Sequence, residues 1–462
     1  METARNNRRF NWQQKGWPAA TVDRTALRGE LAAFKKAFLR VRDALAKPLP
    51  QTLEMAALVD EAVKTSAIEG VKVDESVVMS SICKALGLKD APLGFSKDVR
   101  SEGVAQMVLS VRSDWNKPIS ANLLRAWHGA LLANDPRGLT IGDFRSHEDP
   151  MRVISRDAYG EIEVLFEAPP SRRVQMEIAR FVEMWRRTKR RPEEVALRCA
   201  MLHPHFESIH PFEDGNGRVG RALIAKALAE GLGAPLVLPV SLVIARHRKA
   251  YYEAIHGAST SLDWTPWAKF IISVLTETLH DFLVAAQFVV AKNEYLKTYE
   301  PKMSERAKAV ILRMFRDGPA GVASGISVAK WRRMTKVSKA TATRDLAELA
   351  ATGAIVAEGA SVASRYRLAI RDSGWLNEPL FEAINEAINE PQNDPLNDPI
   401  SRRVAEIVGK SPGVGRKQLI LELGKSKATI ERALAALVAA GKVEHRGSKK
   451  TGGYYARQKG KS

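Results

Sequence analysis

The sequence predicts a mainly α-helical protein, with one β-hairpin inside a helical core and two small modules of mixed helices and strands near the C-terminal end. Three observations lead to this prediction. Apolar residues recur at helical spacing in residues 20–135 and again after residue 173. Alternating apolar and polar residues around a glycine interrupt the helices at residues 142–166. The order helix, helix, helix, hairpin then occurs twice after residue 303.

The same changes of pattern divide the chain into domains, and its 462 residues suit two to four of them. We expect a helical N-terminal domain, a helical core, a first module, a polar linker and a second module. Their predicted boundaries are residues 1–115, 116–295, 302–371, 372–399 and 400–462. The linker repeats Asn-Glu and Asn-Asp pairs between prolines, a composition typical of a connecting segment.

Positive charge is concentrated in the two C-terminal modules. The whole chain has a formal net charge of +19. Residues 302–371 contain 14 Lys and Arg against 5 Asp and Glu, and residues 400–462 contain 15 against 4. The rest of the chain is therefore close to neutral. Basic modules of this size favour nucleic acid as a partner, although such modules also dock proteins.

Several features of the sequence favour a cytoplasmic protein without a membrane span. Cys83 and Cys199 are the only cysteines, too few for a disulfide framework. Residues 1–12 are polar and contain no apolar run, so we expect no secretory signal. The longest apolar stretch, residues 223–245, is interrupted by charged residues and prolines and is not expected to cross a membrane.

One stretch, residues 210–221, carries the strongest functional pattern: His-Pro-Phe-Glu-Asp-Gly-Asn-Gly-Arg-Val-Gly-Arg. Its Gly-Asn-Gly turn leads into a predicted helix. Free backbone N–H groups and the helix dipole make such a turn a good site for phosphate, and glycines allow close approach. Arg218 and Arg221 lie one helical turn apart, so both guanidinium groups can reach the same anion.

Two further side chains complete this pattern. Asp214 is suited to hold a divalent cation that bridges phosphates, and His210 is suited to accept a proton from a hydroxyl. Each feature alone is common, because Asp-Gly and Asn-Gly form ordinary turns and most histidines are structural. Their joint order within twelve residues favours a phosphate-handling site.

The stretch resembles the signature of the Fic family, His-x-Phe-x-(Asp/Glu)-Gly-Asn-Gly-Arg-x-x-Arg, at every specified position. The resemblance implies a protein AMP-transferase that uses ATP with Mg²⁺ and transfers AMP to a Ser, Thr or Tyr hydroxyl of a target protein. It assigns His210 as general base, Phe212 as a buried anchor and Asp214 as the Mg²⁺ ligand. The positions that it assigns to ATP phosphates are Gly215, Asn216, Gly217, Arg218 and Arg221.

Given that resemblance, the string Thr65-Ser-Ala-Ile-Glu69-Gly70 is similar to the inhibitory motif of the same family, (Ser/Thr)-x-x-x-Glu-(Gly/Asn). Thr65 and Glu69 are four residues apart and share a helix face, and Gly70 suits the helix end. The resemblance implies that Glu69 pairs with Arg221 and excludes the γ-phosphate. Without the resemblance to this family, the string would indicate an ordinary exposed Glu at a helix end. The segment around Asn11 and Trp17 also resembles the leader domain of this class.

The position of the predicted hairpin resembles the flap of Fic proteins, which implies that it receives the extended backbone of the target. Its sequence alone also suits a plain surface hairpin. The same resemblance makes Tyr251 or Tyr252 a candidate wall of the adenine pocket, whereas aromatic residues more often fill a core. His203 and His205 fit no familiar zinc spacing, so we do not predict a zinc site there.

Each C-terminal module resembles a winged helix, and Ser-Lys-Ala-Thr opens the predicted recognition helix at residues 338–341 and again at residues 426–429. Two functions therefore compete. The first is an autoinhibited AMP-transferase, whose Glu69 could instead position water to remove AMP from the target. The second is a DNA-binding transcriptional regulator with a nucleotide-sensing Fic core. His210 favours the enzyme, because a sensor does not need the base. The sequence leaves a homodimer open.

Overall fold

The structure is a computed structural model that describes residues 10–46, 48–88, 98–133, 135–156, 162–188, 191–358, 365–370, 399–423, 427–439, 442–446 and 453–456. The chain forms two compact units, Met1–Thr298 and Tyr299–Ser462. Helices dominate both units, and the strands form only small sheets. The predicted class, mainly α with small sheets, is confirmed.

The first unit begins with a short 3-10 helix, Asn11–Gln13, and continues with helices that we number in chain order. They are α1 Arg28–Ala44, α2 Gln51–Ile68, α3 Glu75–Ala85, α4 Val99–Ser113, α5 Ala121–Leu131, α6 Ser171–Arg187, α7 Pro192–Ile209, α8 Asn216–Leu232, α9 Val240–Arg246, α10 Arg248–Thr260 and α11 Thr265–Tyr299. Local sequence explains several of their ends. Asp74 and Ser120 cap α3 and α5 through their side chains, Pro192 opens α7, and Gly233 follows α8 with a positive φ.

Helices α7 and α8 lie at the centre of this unit. Both are buried along nearly their whole length, including most of their polar residues. They pack against each other, and α1, α2, α4, α5 and α6 pack around them. A helix that is buried on all sides must satisfy its polar side chains internally. Lys226 does so by donating to Asp114 O at 2.7 Å and pairing with Glu230 at 3.1 Å.

The predicted hairpin is present as β1, Arg152–Arg156, paired antiparallel with β2, Ile162–Glu167. The register shifts between Val153 and Ile154, and both side chains are exposed. The predicted turn at residues 159 and 160 lies outside the described residues. The N-terminal segment supports the hairpin, because Trp12 Nε1 donates to Glu167 O at 2.6 Å.

Helix α11 and the short 3-10 helix after it, Thr265–Lys302, are long and apolar enough to cross a membrane, with a mean hydropathy of 1.3. Just over half of that apolar window, 56%, is buried inside the protein. Trp267, Leu275 and Phe282 belong to the hydrophobic core. The helix thus contributes to the core, and the expectation that the protein has no membrane partner stays a prediction.

The second unit begins with α12 Glu305–Arg316, α13 Gly318–Ala323, β3 Ile326–Ser327, α14 Val328–Thr335, α15 Lys339–Ala351, β4 Ile355–Glu358 and β5 Arg365–Leu368. The strands form an antiparallel sheet in the order β3-β5-β4. Trp331 is fully buried and donates to Asp345, which also accepts two hydrogen bonds from Arg306. The predicted order of helices and hairpin is present, together with α13 and β3, which the sequence analysis did not identify.

A similar order follows as α16 Pro399–Lys410, α17 Arg416–Leu423, α18 Lys427–Ala439, β6 Val443–Arg446 and β7 Gly453–Ala456. Its core contains Val404, Leu419, Leu434 and Val443. Residues 372–398 of the predicted linker lie outside the described residues, as does residue 426 of the second Ser-Lys-Ala-Thr string. That these two modules are winged helices stays a prediction.

The predicted boundary between residues 115 and 116 falls inside the first compact unit. One hydrophobic core runs from Leu27 in the segment before α1 to Ala286 in α11 and joins residues from both predicted domains. Asn11 is also fully buried and donates to Ser208 Oγ at 2.7 Å and Ala258 O at 2.9 Å. The predicted N-terminal domain therefore shares its core with the segment that carries the signature.

Candidate active site

His210 occupies the junction between α7 and the loop that leads to α8. Its backbone has a left-handed conformation, with φ 48°, which is uncommon for a residue other than glycine and concentrates at functional sites. Its Nδ1 lies 3.3 Å from Glu207 O, and because a carbonyl only accepts, Nδ1 carries the proton. Nε2 is then the nitrogen with the free lone pair. Burial lowers the pKa of His210 to about 4, so the ring is neutral at pH 7.

The Arg145 side chain binds the backbone at this junction. Its guanidinium donates to the carbonyls of His210 at 2.7 Å, Ile209 at 3.2 Å and Pro169 at 2.6 Å, and to Ser171 Oγ at 3.0 Å. The side chain is almost completely buried. Satisfying these carbonyls inside the protein compensates for the left-handed turn at His210. The same contacts attach the chain after the hairpin to the base.

The side chain of Asn216 forms hydrogen bonds within the signature loop. Its Oδ1 accepts from Phe212 N at 2.9 Å, and its Nδ2 donates to Phe212 O at 2.8 Å. The side-chain amide is therefore used inside the loop rather than offered to a phosphate, which differs from the role that we expected for Asn216. Phe212 is fully buried, as expected for an anchor. Gly215, with φ 84°, precedes the first residue of α8, where the backbone N–H groups of the helix start are available.

His128 of α5 supports the same loop from the other side. Its ring stacks on Phe212 with 4.0 Å between centroids and 1° between planes. Gly142 N donates to its Nδ1 at 3.0 Å, so Nε2 carries the proton and donates to Asp214 O at 3.1 Å. Burial lowers the pKa of His128 to about 4, which keeps this ring neutral. His128 thus supports the loop through one ring stack and one hydrogen bond.

Asp214 is shared between two arginines. Arg218 Nη2 lies 3.1 Å from its Oδ1, and Arg137 Nη2 lies 2.7 Å from its Oδ2. Burial alone would raise the pKa of Asp214, but Arg218 and Arg137 hold it below its usual range. The carboxylate is therefore ionised at neutral pH. Its side chain is 32% exposed, so it remains accessible to a ligand.

Arg221 is fully buried and bound by the end of α2. Its Nε donates to Thr65 Oγ1 at 2.9 Å, its Nη2 donates to Thr65 O at 2.8 Å, and its Nη1 lies 2.8 Å from Glu69 Oε1. Although burial opposes it, the charge of Glu69 raises the pKa of Arg221 above its usual range. A Cβ on Gly217 would clash with Glu69 Oε1. The Glu69 carboxylate therefore lies over the glycine loop, where an anion is expected to bind.

The end of α2 is held by α10. Ile68 O accepts from Arg248 Nη2 and from the Tyr252 hydroxyl, each at 2.8 Å. Gly70, with φ 73°, then turns the chain away from the helix. Tyr252 is 42% exposed, which leaves its ring accessible to a nucleobase. This tyrosine thus contacts the backbone directly before Glu69.

Tyr251 is located differently from what we expected. It is 3% exposed, its hydroxyl lies 3.0 Å from His203 Nε2, and its ring packs against Trp267. A ring buried in this way offers no face to a base, because the positions around it are occupied by other aromatic side chains. Of the two tyrosines, Tyr252 alone has an exposed ring, and its role at the adenine stays a prediction.

Glu207 lies half-buried near Arg221, and its Oε1 is inaccessible to solvent. Burial and the nearby charge of Glu69 raise its pKa to about 8, so it is protonated at pH 7. Among the described residues, no hydrogen-bond partner is found for its Oε1. A Cβ on Gly220 would clash with that oxygen. Glu207 thus occupies the space that Gly220 leaves open.

The raised pKa of Glu207 predicts a pH-dependent stability. The unfolded chain loses this proton near the ordinary pKa of 4.5, whereas the folded chain retains it up to about 8. Stability from this group is therefore complete below pH 4.5 and declines as the pH rises to 8. We expect Glu207→Gln to gain stability relative to the wild type by roughly a few kcal/mol between pH 5 and pH 8. Thermal unfolding of both proteins at the two pH values measures this gain.

The control for this measurement is Glu253→Gln, because the Glu253 side chain is 66% exposed. It should follow the wild type at both pH values. If Glu207→Gln also follows the wild type at pH 5 and pH 8, Glu207 does not titrate with a raised pKa.

The described residues contain no group of three or more His, Cys, Asp or Glu side chains that could hold a metal ion. His205 is buried between Trp17 and Phe181 as an aromatic core residue. Asp214 nonetheless fits Mg²⁺ that is delivered with phosphates. That ion is commonly held by one or two carboxylates, with phosphate oxygens and water as its other ligands. Its Oδ2 would have to exchange Arg137 for the metal.

The structure brings His210, Asp214, Arg218, Arg221, Thr65 and Glu69 together around the start of α8. Sequence analysis missed the roles of His128, Arg137, Arg145 and Glu207. No local pattern marks the first three, because each reaches the loop across more than 60 residues. Glu207 lies three residues before His210, and its burial was the missing information.

The fold and the site define a helical domain in which a neutral histidine lies near a glycine-rich helix start with two buried arginines. Residues 118–228 match the Fic/DOC family. Residues 10–88 match a second family, whose description is a domain of unknown function, DUF4172.

The chain is also similar to curated proteins over this region. It is 34% identical over 91 residues to a probable protein adenylyltransferase of Aquifex aeolicus, covering 20% of this chain and 26% of that protein. It is 33% identical over 87 residues to the protein adenylyltransferase Fic of Aedes aegypti, covering 19% and 16%. The chain thus matches about a quarter or less of the length of these relatives.

Solved structures of Fic proteins are similar as well. A Fic family protein from Desulfovibrio desulfuricans is 20% identical, with a TM-score of 0.47, and the match covers 76% of this chain and 98% of that one. The Fic-1 protein of C. elegans, residues 134–508, is 17% identical with a TM-score of 0.42, covering 57% and 74%.

Proposed function

We propose that this protein transfers AMP from ATP to a hydroxyl group of a Ser, Thr or Tyr in a target protein, and that Glu69 inhibits the transfer. The observation that carries this proposal is the state of His210. Its Nδ1 is committed to Glu207 O, and its pKa is lowered to about 4, so Nε2 is an unprotonated acceptor at neutral pH. The adenylyltransferase relatives support the choice of AMP as the transferred group.

In the proposed reaction, Nε2 of His210 takes the proton of the target hydroxyl. The hydroxyl oxygen forms a bond to the α-phosphorus, the bond from that phosphorus to the bridging oxygen breaks, and the electron pair leaves with pyrophosphate. Positioning and charge neutralisation supply most of the rate of such a reaction. Arg145 contributes by fixing the backbone of His210.

The phosphates are proposed to lie at the start of α8. The backbone N–H groups in the first turn of α8 and the dipole of that helix favour anions there. Arg218 and Arg221 add two buried guanidinium groups that suit phosphate oxygens. Mg²⁺ held by Asp214 would neutralise the charge of the α- and β-phosphates.

Glu69 is proposed to inhibit by occupying the γ-phosphate position. Its Oε1 lies 2.8 Å from Arg221 Nη1, and it lies over Gly217. A phosphate oxygen needs the same guanidinium edge, so carboxylate and phosphate compete for it. The same carboxylate could orient a water molecule for removal of AMP, which would reverse the net direction of the reaction.

The hairpin β1-β2 is proposed to bind the target. The sheet has two strands, so among the described residues each strand has an edge that no other strand covers. An extended peptide can pair with such an edge through its backbone. Val153 and Ile154 offer exposed apolar side chains beside it.

We also propose that the protein is located in the cytoplasm, and we keep a homodimer as a second proposal for its assembly.

The test is the intact-protein mass of Glu69→Gly after incubation with Mg²⁺ and ATP. We expect self-modification by one AMP unit, which the wild type gains more slowly. The added unit is identified as AMP if it carries label from the α-phosphate of ATP and none from the γ-phosphate. Label from the γ-phosphate would contradict the proposal, because phosphoryl transfer would then be the reaction.

A second candidate function is DNA binding by the C-terminal modules, as part of the enzyme or of a nucleotide-sensing regulator. The start of α15 favours it. Ser338 caps this helix through its side chain, and Lys339, Thr343 and Arg344 are exposed along it. Small polar and basic side chains at the start of a helix suit phosphate and base contacts.

We expect Lys339→Ala/Arg344→Ala to weaken binding of the full chain to duplex DNA by about tenfold or more, because each phosphate contact releases counterions. Electrophoretic mobility shift at two salt concentrations measures the loss. The matched control is Arg24→Ala/Lys35→Ala, which removes two exposed basic residues of the first unit. Equal losses of DNA binding in both variants would mean nonspecific attraction of basic residues to DNA and would exclude α15 as the recognition helix.

A further inference from the structure

A cavity of about 350 Å³ opens beside Arg218, on the side of the Glu69 turn. This volume lies within the usual range of small-molecule sites, roughly 300–1,000 Å³. Its basic lining is formed by Lys72, Arg100, Arg137 and Arg218, and its acidic lining by Asp135 alone. Apolar residues of α5 and of the turn after α2 complete the wall. Asp214 contacts two of these cations, so four cations face two carboxylates, and the excess of positive charge favours a multiply charged anion.

The carboxylate in the lining, Asp135, offsets the charge of one arginine and holds that arginine in position. Asp135 accepts from Arg137 Nε and Nη2, each at 2.8 Å, and its own side chain is only 4% exposed. Arg137 also reaches Asp214 through the same Nη2 at 2.7 Å. It can give up the Asp214 contact while Asp135 still holds it. Arg137 is thus a fixed guanidinium with one exchangeable partner.

Arg218 provides a second, independent sign that an anion belongs here. Its side chain is 5% exposed, and it lines the cavity. Among the described residues, its buried Nε has no hydrogen-bond partner, while Nη2 contacts Asp214. A buried charged N–H without a partner costs free energy, so a rotation of the Arg218 side chain that turns this N–H toward an oxyanion in the cavity would be favoured.

The location of the cavity restricts the anion to one part of the nucleotide. Gly70 and Arg218 line it, and they adjoin the Glu69–Arg221 pair that lies over the phosphate loop. The cavity therefore borders the proposed position of the outer phosphates. Tyr252, the exposed aromatic candidate for the base, is not among its lining residues.

We propose that Arg137, together with Arg100, Lys72 and Arg218, forms a diphosphate-binding site that receives the pyrophosphate leaving group. This inference rests on the proposed AMP transfer for the source of the diphosphate, but binding itself does not depend on turnover. When the bond between the α-phosphorus and the bridging oxygen breaks, the electron pair and the added negative charge remain on pyrophosphate. An oxygen of that anion replaces Asp214 as the second partner of Arg137, which acts as a positioning residue.

The experiment measures binding of inorganic pyrophosphate to the full chain by isothermal titration calorimetry, with monophosphate as the comparison ligand. We expect wild-type protein to bind pyrophosphate at least tenfold more tightly than monophosphate. Arg137→Gln should weaken pyrophosphate binding by about tenfold or more, the loss of one charged hydrogen-bonding partner. The matched control is Arg24→Gln, an exposed arginine that pairs with Glu194.

A charge-retaining variant separates binding from structural support. Arg137→Lys keeps the positive charge but cannot form the two-point contact with Asp135, so it should recover much of the affinity if the charge binds pyrophosphate. Unchanged binding in Arg137→Gln, or equal losses in Arg137→Gln and Arg24→Gln, would overturn the proposed site. Failure of Arg137→Lys to recover affinity would overturn the positioning role and leave only a structural one.

Competition with ATP tests whether the diphosphate site is the position that the leaving group of ATP would occupy. In the Glu69→Gly variant, pyrophosphate that binds through Arg137 should displace ATP, because Arg218 lines the cavity and is also a proposed ligand of the ATP phosphates. Simultaneous binding of ATP and pyrophosphate would overturn the leaving-group assignment. If pyrophosphate competes through Arg137 but no AMP transfer is detected, the proposed reaction fails while the diphosphate site stands.

Discussion

Replacing His210 by alanine in the Glu69→Gly background should lower the rate of AMP transfer by about 10²–10⁴-fold, the usual contribution of a general base. ATP binding should change little. The imidazole hydrogen-bonds within its own turn through Nδ1, whereas the proposed phosphate contacts come from the start of α8 and the buried arginines. Radiolabel transfer from ATP measures the rate, and equilibrium titration with ATP measures the affinity.

His210→Asn is the matched variant, because it keeps a polar side chain that tolerates a left-handed backbone. It should be as inactive as His210→Ala, since an amide is not a base at neutral pH. If His210→Asn transfers AMP at the rate of the parent, the base assignment is wrong. If both variants lose ATP binding together with transfer, His210 supports the loop rather than the chemistry.

Replacing Glu69 by glycine should raise AMP transfer by about tenfold or more. The Glu69 carboxylate forms an ion pair with Arg221 at 2.8 Å and so occupies the guanidinium edge that suits a phosphate oxygen. Removing it leaves the two hydrogen bonds from Arg221 to Thr65 in place and frees that edge for a phosphate oxygen. Initial rates of AMP incorporation in wild type and variant at the same ATP concentration measure the gain.

Glu69→Gln separates the charge of the carboxylate from its volume. The amide fills the same space but does not form an ion pair with Arg221. Activation close to that of Glu69→Gly would mean that the ion pair inhibits, and no activation would mean that the side chain blocks the site by its volume. Equal rates for wild type and Glu69→Gly would contradict inhibition by this residue.

Much of the fold could be predicted because its signals are local. The helical periodicity of residues 27–38, the hairpin at residues 152–167 and the element order after residue 304 all arise from neighbours in sequence. The predicted domain boundary at residue 115 depended on a different kind of signal. It followed a change of pattern along the chain, whereas one core joins residues from both sides of it.

The candidate site could be predicted in part for the same reason. His210, Asp214, Arg218 and Arg221 lie within twelve residues, and the loop places them around one helix start. Arg137 and Arg145 approach from 77 and 65 residues away, and nothing in their neighbourhoods marks them. Burial also changes chemistry that composition does not reveal, as in the raised pKa of Glu207.

Asn216 and Tyr251 show a further limit of local reasoning. A side-chain amide in a phosphate loop is free to bind a ligand only if the loop does not use it, and here Phe212 uses both ends. Likewise, Tyr251 lies next to Tyr252 in the sequence, but a helix points adjacent side chains in different directions. One ring is buried against Trp267, and the other is exposed.

The contacts of Arg145 have a consequence for how a target residue would be chosen. One guanidinium binds the carbonyl of His210 and the carbonyl of Pro169, close behind the end of the hairpin. Arg145 thus fixes the distance between the end of the hairpin and His210. A peptide paired with the hairpin would present to His210 whichever residue lies at that fixed length. Selection would then depend on where the peptide is aligned, and a Ser, Thr or Tyr elsewhere along it would remain unmodified.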